Sequence, residues 1–119
     1  MSEEIVATCT GGDLGMLIGR HGQTIDALQY VVNAALYRSG AHKPVTVDAA
    51  GYRDRRRQVL EGIALRGADR AARGARVLLA PMTPGERKVV HERLKDVPGV
   101  TTASEGSEPN RYVVVFPAE

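Results

Sequence analysis

The sequence is poor in cysteine and in aromatic residues, and it has no long apolar run. Its 119 residues include one cysteine, no tryptophan and only five tyrosine or phenylalanine residues. The single cysteine, Cys9, excludes an internal disulfide and suits a reducing compartment, which predicts a cytoplasmic protein. No apolar run approaches the roughly 20 residues that a membrane-spanning helix needs, and the acidic N-terminus does not have the pattern of a secretory signal peptide. The length limits the chain to one ordinary domain or two very small ones.

Patterns typical of catalytic and metal sites are also missing. The three histidines lack metal-ligand spacing, and nothing places a histidine beside Cys9, so a buried structural cysteine is favoured over a thiol nucleophile. The sequence therefore predicts no enzyme, no metal and no cofactor. The aromatic residues are Tyr30, Tyr37, Tyr52, Tyr112 and Phe116. Most of them fall at helix-stripe or strand positions, which favours a place in the core over stacking on bases.

Positive charge is concentrated in one stretch of the chain. Residues 51–76 carry eight arginines against three acidic residues, although the net charge of the whole chain is only +2. Because arginine donates two parallel hydrogen bonds to a phosphate, such a stretch is a mild indication of a nucleic-acid partner. Arg55, Arg66 and Arg73 fall on one flank of a predicted helix and form a candidate electrostatic path. A solvated helix face is the alternative interpretation.

The hydrophobic pattern predicts an α+β fold of two small lobes. Residues 1–50 form the first lobe, in the order strand, short helix, glycine turn, helix, strand. Asp13 is a plausible N-cap for the short helix. The predicted strands of this lobe lie at 4–9 and 44–48, and its main helix lies at 23–38.

The second lobe covers residues 51–119 and is predicted to contain a three-stranded sheet and two helices. Thr83, Pro84 and Glu86 are typical of a helix start, because they combine an N-cap, a proline at the first helical position and a capping box. The predicted helices lie at 51–73 and 84–95, and the predicted strands at 76–80, 100–104 and 112–116.

A glycine turn, Gly19-Arg20-His21-Gly22, separates the two helices of the first lobe. Two glycines let a ligand approach the backbone closely, and amides at the start of the following helix favour phosphate. Arg20 adds a formal charge and His21 adds a hydrogen-bond donor. The motif alone is weak, but its position inside a strand–helix–turn–helix–strand unit is that of the loop with which KH domains clamp about four nucleotides.

The residues around this turn support a family resemblance. The segment LGMLIGRHGQTIDALQY at 14–30, followed by VDAAGYR at 47–53, closely resembles the KH domain of the bacterial Jag family. The resemblance implies that Ile18 and Ile25 help to line an apolar groove for bases. It also indicates an N-terminally short KH domain, because a helix and a strand usually precede the first strand. An exposed sheet edge would then invite pairing with another chain.

A second motif, Arg87-Lys88-Val89-Val90-His91, places Arg87 and His91 four residues apart on one helix face. Together with PMTPGE at 81–86, PGVTT at 98–102 and PNR at 109–111, it resembles the Arg-x-x-x-His domain that follows the KH domain in Jag proteins. The resemblance implies that Arg87, Lys88 and His91, helped by Arg111, bind the phosphates of a single-stranded nucleic acid.

The sequence thus predicts a protein that binds single-stranded RNA, with single-stranded DNA as an alternative ligand, in cell-envelope growth or RNA regulation. Two other hypotheses stay open. One is an adaptor whose partner is a membrane-protein insertase, another KH protein or a second copy of the chain. The other is a small hydrolase acting on RNA, for which the sequence offers no catalytic cluster.

Overall fold

A computed structural model describes residues 5–12, 14–41 and 43–119, except for the side chain of His21. Contacts divide the chain into two compact units, of which the first ends at Arg56 and the second begins at Arg57. The predicted α+β fold class is confirmed. Two residues used in the predictions, Glu4 in the first strand and Asp13 as an N-cap, lie outside the described residues.

In the described part of the first unit, two strands and two α-helices precede the helix that continues into the second unit. Its strands pair in parallel, with Ile5 opposite Val45 and Cys9 opposite Ala49. Parallel neighbours require a crossover connection, which the helices and the turn between them supply. The elements are β1 (Ile5–Cys9), α1 (Gly15–Ile18), a 3-10 turn (Arg20–Gly22), α2 (Gln23–Arg38) and β2 (Val45–Ala49).

The core of the first unit lies between α2 and β2. The predicted helical stripe of α2 faces this core, where Ile25, Val45, Val47 and Ala49 are buried. Polar contacts also join the two elements. The side-chain amide of Asn33 donates from Nδ2 to the carbonyl oxygen of Val45 at 2.9 Å, and the amide of Val45 donates to Oδ1 of Asn33 at 2.7 Å.

Two tyrosines lie where the sequence interpretation did not expect them. Tyr30 and Tyr37 are 77% and 79% exposed, so these two do not belong to the core that most of the aromatic residues were expected to join. Both lie on the face of α2 opposite the stripe that packs on β2, because a helix carrying apolar residues on two faces buries only one of them. Tyr52 packs against the first core, as predicted, and Tyr112 and Phe116 are half-buried.

The second unit contains an antiparallel sheet in the order β3-β5-β4. The strand predicted over 76–80 is shorter in the structure: Val77 and Leu78 pair with β5, opposite Val115 and Val114, and the amide of Leu79 donates to the carbonyl of Val113 at 2.9 Å just beyond the strand. Helix α3 includes the division between the units. The elements are α3 (Tyr52–Ala72), β3 (Val77–Leu78), α4 (Pro84–Leu94), β4 (Val100–Glu105) and β5 (Tyr112–Pro117).

Helix α4 begins at the predicted capping box. The backbone amide of Glu86 donates to Oγ1 of Thr83 at 3.3 Å, and the amide of Thr83 donates to Oε1 of Glu86 at 3.4 Å. Pro84 takes the first helical position. Behind this start, one face of α4 joins α3 and the sheet in a common core, whose most buried members are Leu60, Ala64, Ala71, Val90, Leu94, Val113 and Val115.

Candidate nucleic-acid interface

The glycine turn has a backbone that other residues do not readily adopt. Gly19 and Gly22 have φ angles of +71° and +81°, in the left-handed region that favours glycine. A Cβ at Gly19 would collide with the side chain of Thr24, and a Cβ at Gly22 would lie 2.7 Å from the ring of Tyr52. Backbone angle and packing therefore both require glycine at the two ends of the turn.

The turn leads directly into α2. The amide of Gln23 donates to the carbonyl of Arg20 and closes the turn, and the positive end of the helix dipole lies at this point. Arg20 is exposed, and its guanidinium has no hydrogen-bond or ion-pair partner among the residues that the structure describes. A glycine turn, a helix N-terminus and an exposed guanidinium thus lie next to one another, which is an arrangement suited to an anion.

The two isoleucines predicted beside the turn differ in accessibility. Ile18 is half-buried at the end of α1. Ile25 is 0% exposed, inside the first core, so the prediction that it lines a groove for bases is wrong in this conformation. It packs in the core because it belongs to the stripe of α2 that faces β2. The side chain of His21 lies outside the described part of the structure.

Arg53, at the start of α3, is a supporting residue to which sequence reasoning assigned no role. Its Nε donates to the carbonyl of Val47 at 2.7 Å, and its terminal nitrogens donate to Asp26 at 2.7 Å and to Gln29 at 3.0 Å. These bonds join β2 to the first half of α2 and hold the helix that carries the turn. The only sequence signal was that Arg53 lies within the segment that resembles the Jag family.

Arg87 lies inside the second unit. The residue is only 8% exposed. One terminal nitrogen donates to the backbone carbonyl of Met82 at 2.8 Å, and the other donates to Oε1 of Glu108 at 2.5 Å. Glu108 belongs to the loop between β4 and β5, so Arg87 fastens that loop to the start of α4. Its guanidinium already has acceptors within the unit and is not presented to solvent.

His91 also makes contacts within the unit. Its Nδ1 lies 2.6 Å from Oγ1 of Thr102, and its Nε2 lies 2.9 Å from Oγ of Ser104. Burial lowers the pKa of His91 below its usual 6.5, and the positive charge of Arg87 lowers it further. The imidazole is therefore neutral at pH 7, donating from one nitrogen and accepting at the other. It bridges α4 to β4 without adding positive charge.

The remaining predicted residues of this unit differ in exposure. Arg111 is half-buried and donates to the carbonyls of Gly106 at 2.6 Å and Ser104 at 3.2 Å, across the end of the hairpin. Lys88 is exposed on α4, and its Nζ lies 3.9 Å from a carboxylate oxygen of Glu92. Lys88 is thus the member of the predicted second site whose charge lies most fully at the surface.

The three arginines of the candidate path have separate surroundings. Arg55 donates to the carbonyl of Ala50, and Arg73, just beyond the end of α3, pairs with Asp69 of that helix at 3.1 Å. Arg66 is exposed. Exposed pairs of this kind contribute little to stability, so these side chains remain available as a diffuse positive field.

The described residues include neither a candidate metal site nor a membrane-spanning helix. Within residues 5–12, 14–41 and 43–119, no group of three or more histidine, cysteine, aspartate or glutamate side chains is placed to hold a metal ion. In the same part of the chain, no helix combines the length and apolarity needed to cross a bilayer.

Both units match known protein families. The model of the R-three-H domain, named after its Arg-x-x-x-His motif, matches residues 58–117. The model described as the KH domain of KhpA/KhpB matches residues 1–48.

The chain is also similar to curated proteins that are each named RNA-binding protein KhpB. The protein from Clostridium symbiosum is 39% identical over 115 residues, which are 95% of this chain and 52% of the relative. The Bacillus subtilis protein is 37% identical over 110 residues, 89% of this chain and 53% of the relative. The Lactiplantibacillus plantarum protein is 44% identical over 103 residues, 85% of this chain and 32% of the relative. The chain spans about half the length of the first and second of these relatives and a third of the other.

Proposed function

The chain belongs to the Arg-x-x-x-His domain family and has the architecture of the Jag proteins, in which a KH domain precedes that domain, and on this basis we propose that it binds single-stranded RNA without chemical turnover. Single-stranded DNA is an alternative ligand. The observation that carries the proposal is the glycine turn, whose left-handed backbone at Gly19 and Gly22 leads into the N-terminus of α2 beside the exposed Arg20. The names of the curated relatives, all RNA-binding proteins, support the same function.

In the first unit, the turn holds the RNA backbone. A phosphate lies against the amides at the start of α2, where the helix dipole favours negative charge. Arg20 neutralises that phosphate or its neighbour, and His21 adds a donor. Ile18, half-buried beside the turn, supplies the apolar edge against which an unstacked base rests.

In the second unit, Lys88 and Arg111 neutralise further phosphates. Lys88 contributes an exposed ammonium. Arg111 donates two hydrogen bonds to backbone carbonyls, and because a guanidinium carries five N–H donors, others remain for a phosphate. Arg87 and His91 act as positioning residues, since their hydrogen bonds fasten the hairpin to α4.

The proposal places the protein in the cytoplasm, where RNA is present and Cys9 stays reduced. The adaptor hypothesis, with a membrane-protein insertase or another KH protein as partner, gains no support from the names of the relatives, which specify RNA.

Fluorescence anisotropy with a short labelled single-stranded RNA tests the proposal. The chain is compared with the double variant Arg20→Asp/His21→Asp and with Arg38→Asp, a matched control because Arg38 is also exposed and lies at the far end of α2. Each phosphate contact contributes about −0.7 to the slope of log affinity against log salt. The turn variant should weaken binding and flatten this slope, whereas the control should not.

Duplex RNA should compete poorly, because its bases cannot be splayed onto the protein. Absence of binding by the unmodified chain contradicts the function. Equal binding by the turn variant and the Arg38→Asp control contradicts the assignment of the turn as a contact site.

A further inference from the structure

An open depression lies beside His91, between the C-terminal half of α4 and the first half of β4. Its volume is about 350 Å³, at the lower end of the range for sites that hold one small molecule. Leu94 and Val100, both buried in the second core, form its apolar floor. The depression therefore has room for one flat ring, on a surface that excludes water from one face of that ring.

The charges around the depression oppose each other. Lys95 and Glu92 both line it, with one positive and one negative charge. Glu92 also lies 3.9 Å from Lys88. Arg87 is turned away, because its terminal nitrogens donate to Met82 and Glu108. No excess of positive charge therefore faces the space.

The histidine at the edge does not change this balance. Both ring nitrogens of His91 are within hydrogen-bond distance of hydroxyls, those of Thr102 and Ser104, and the lowered pKa keeps the ring uncharged at neutral pH. A phosphate entering the depression would lose hydration without gaining a matching cation, which is costly for a charged group.

Groups that suit an uncharged polar ring are present instead. Thr102 lies on the face of β4 that is turned toward α4, because its hydroxyl is 2.6 Å from Nδ1 of His91. A hydroxyl can both donate and accept, so that of Thr102 can form a further hydrogen bond. Lys95 adds a donor and Glu92 an acceptor on the side of α4. A heteroaromatic base has this character, with two apolar faces and a polar edge that carries no net charge.

We propose that this depression is a subsite for one unstacked nucleobase, and not for a phosphate. The proposal rests on the function proposed above and places a base contact in the second unit. The base lies on Leu94 and Val100 and directs its polar edge toward Thr102, while the RNA backbone stays outside, near Lys88.

Nuclear magnetic resonance titration of the full chain tests the subsite. The probes are the four ribonucleosides, which are uncharged, and inorganic phosphate at matched ionic strength. Nucleosides should shift the amide signals of His91, Lys95, Thr101 and Thr102, whereas phosphate should leave those four signals in place. Shifts of this cluster by phosphate alone overturn the proposal, and so does a cluster that neither probe moves at tens of millimolar.

A pair of matched variants adds a second readout. Thr102→Val removes one hydroxyl at nearly constant shape and should weaken nucleoside binding about two- to tenfold, the effect of one neutral hydrogen bond. Thr8→Val makes the same change on exposed strand β1 and should have no effect. Equal affinity of Thr102→Val and the unmodified chain overturns the assigned contact.

The proposed RNA-binding function and the proposed nucleobase subsite can each be refuted without the other. If nucleosides bind this cluster but a single-stranded RNA does not bind the chain, the proposed function is wrong and the subsite stands. If RNA binds through the turn while the cluster is unaffected by nucleosides, the proposed function stands and the subsite is wrong.

Discussion

Replacement of Arg87 by methionine separates a positioning role from a phosphate-binding role. Methionine fills a similar volume but cannot donate to the carbonyl of Met82 or to Glu108. A hydrogen bond that involves a charged group contributes about 1.5–3 kcal/mol. The hydrogen bond to Glu108 should contribute a value near the lower limit of this range, because the Glu108 side chain is half exposed to solvent. We expect Arg87→Met to lower the free energy of unfolding by about 2–4 kcal/mol.

Urea unfolding followed by circular dichroism measures this loss, and Lys88→Met is the matched control. Lys88 is the next residue on α4, carries the same charge and is exposed, so its replacement should change stability by less than about 0.5 kcal/mol. RNA affinity is then measured under conditions where both variants are folded. An Arg87→Met variant with unchanged stability and at least tenfold weaker RNA binding would refute the positioning role and make Arg87 a phosphate ligand.

Three further predictions concern stability. Gly22→Ala should destabilise the first unit by about 2–4 kcal/mol, because a left-handed backbone costs an alanine about 1–2 kcal/mol and the new Cβ would lie 2.7 Å from Tyr52. An unchanged thermal midpoint of unfolding would contradict this prediction. Gly62→Ala should instead stabilise α3 by about 0.5–1 kcal/mol, because alanine favours a helix interior more than glycine does. The nearest atom to the new Cβ, at 3.3 Å, is the movable end of the Arg66 side chain. A lower free energy of unfolding in urea would disprove this prediction. Because the pKa of His91 is below its unfolded value of 6.5, the unfolded state binds more protons, and stability should fall as pH drops from 6.5 toward the folded pKa. Urea midpoints at about pH 7.5 and 5 should therefore differ more for the unmodified chain than for His91→Gln, and parallel behaviour would count against the lowered pKa.

Local signals were sufficient to predict most of the elements. The bounds of α2 follow from its apolar periodicity, and the start of α4 follows from Thr83 and its neighbours, because capping depends on residues three apart. The position of Tyr30 could not be predicted in this way, since periodicity places apolar residues on a face without showing whether the fold covers that face. The environment of Arg87 was equally inaccessible, because its acceptor Glu108 lies 21 residues away and comes near only when the hairpin packs on α4.

The two signature motifs of the chain use side chains in opposite ways, and lysine replacements should therefore affect them differently. In the glycine turn, Arg20 is exposed and needs only to supply charge near the backbone, so Arg20→Lys should keep RNA affinity within about threefold. Arg87 instead holds two acceptors at once with separate nitrogens. Lysine has a single compact ammonium and cannot reproduce that fork, so Arg87→Lys should lose stability although the charge is conserved. Anisotropy and urea unfolding of both variants measure the two effects. Loss of affinity in Arg20→Lys together with full stability in Arg87→Lys would reverse the roles assigned to these arginines, because the exposed side chain would then need the guanidinium geometry and the buried one only its charge.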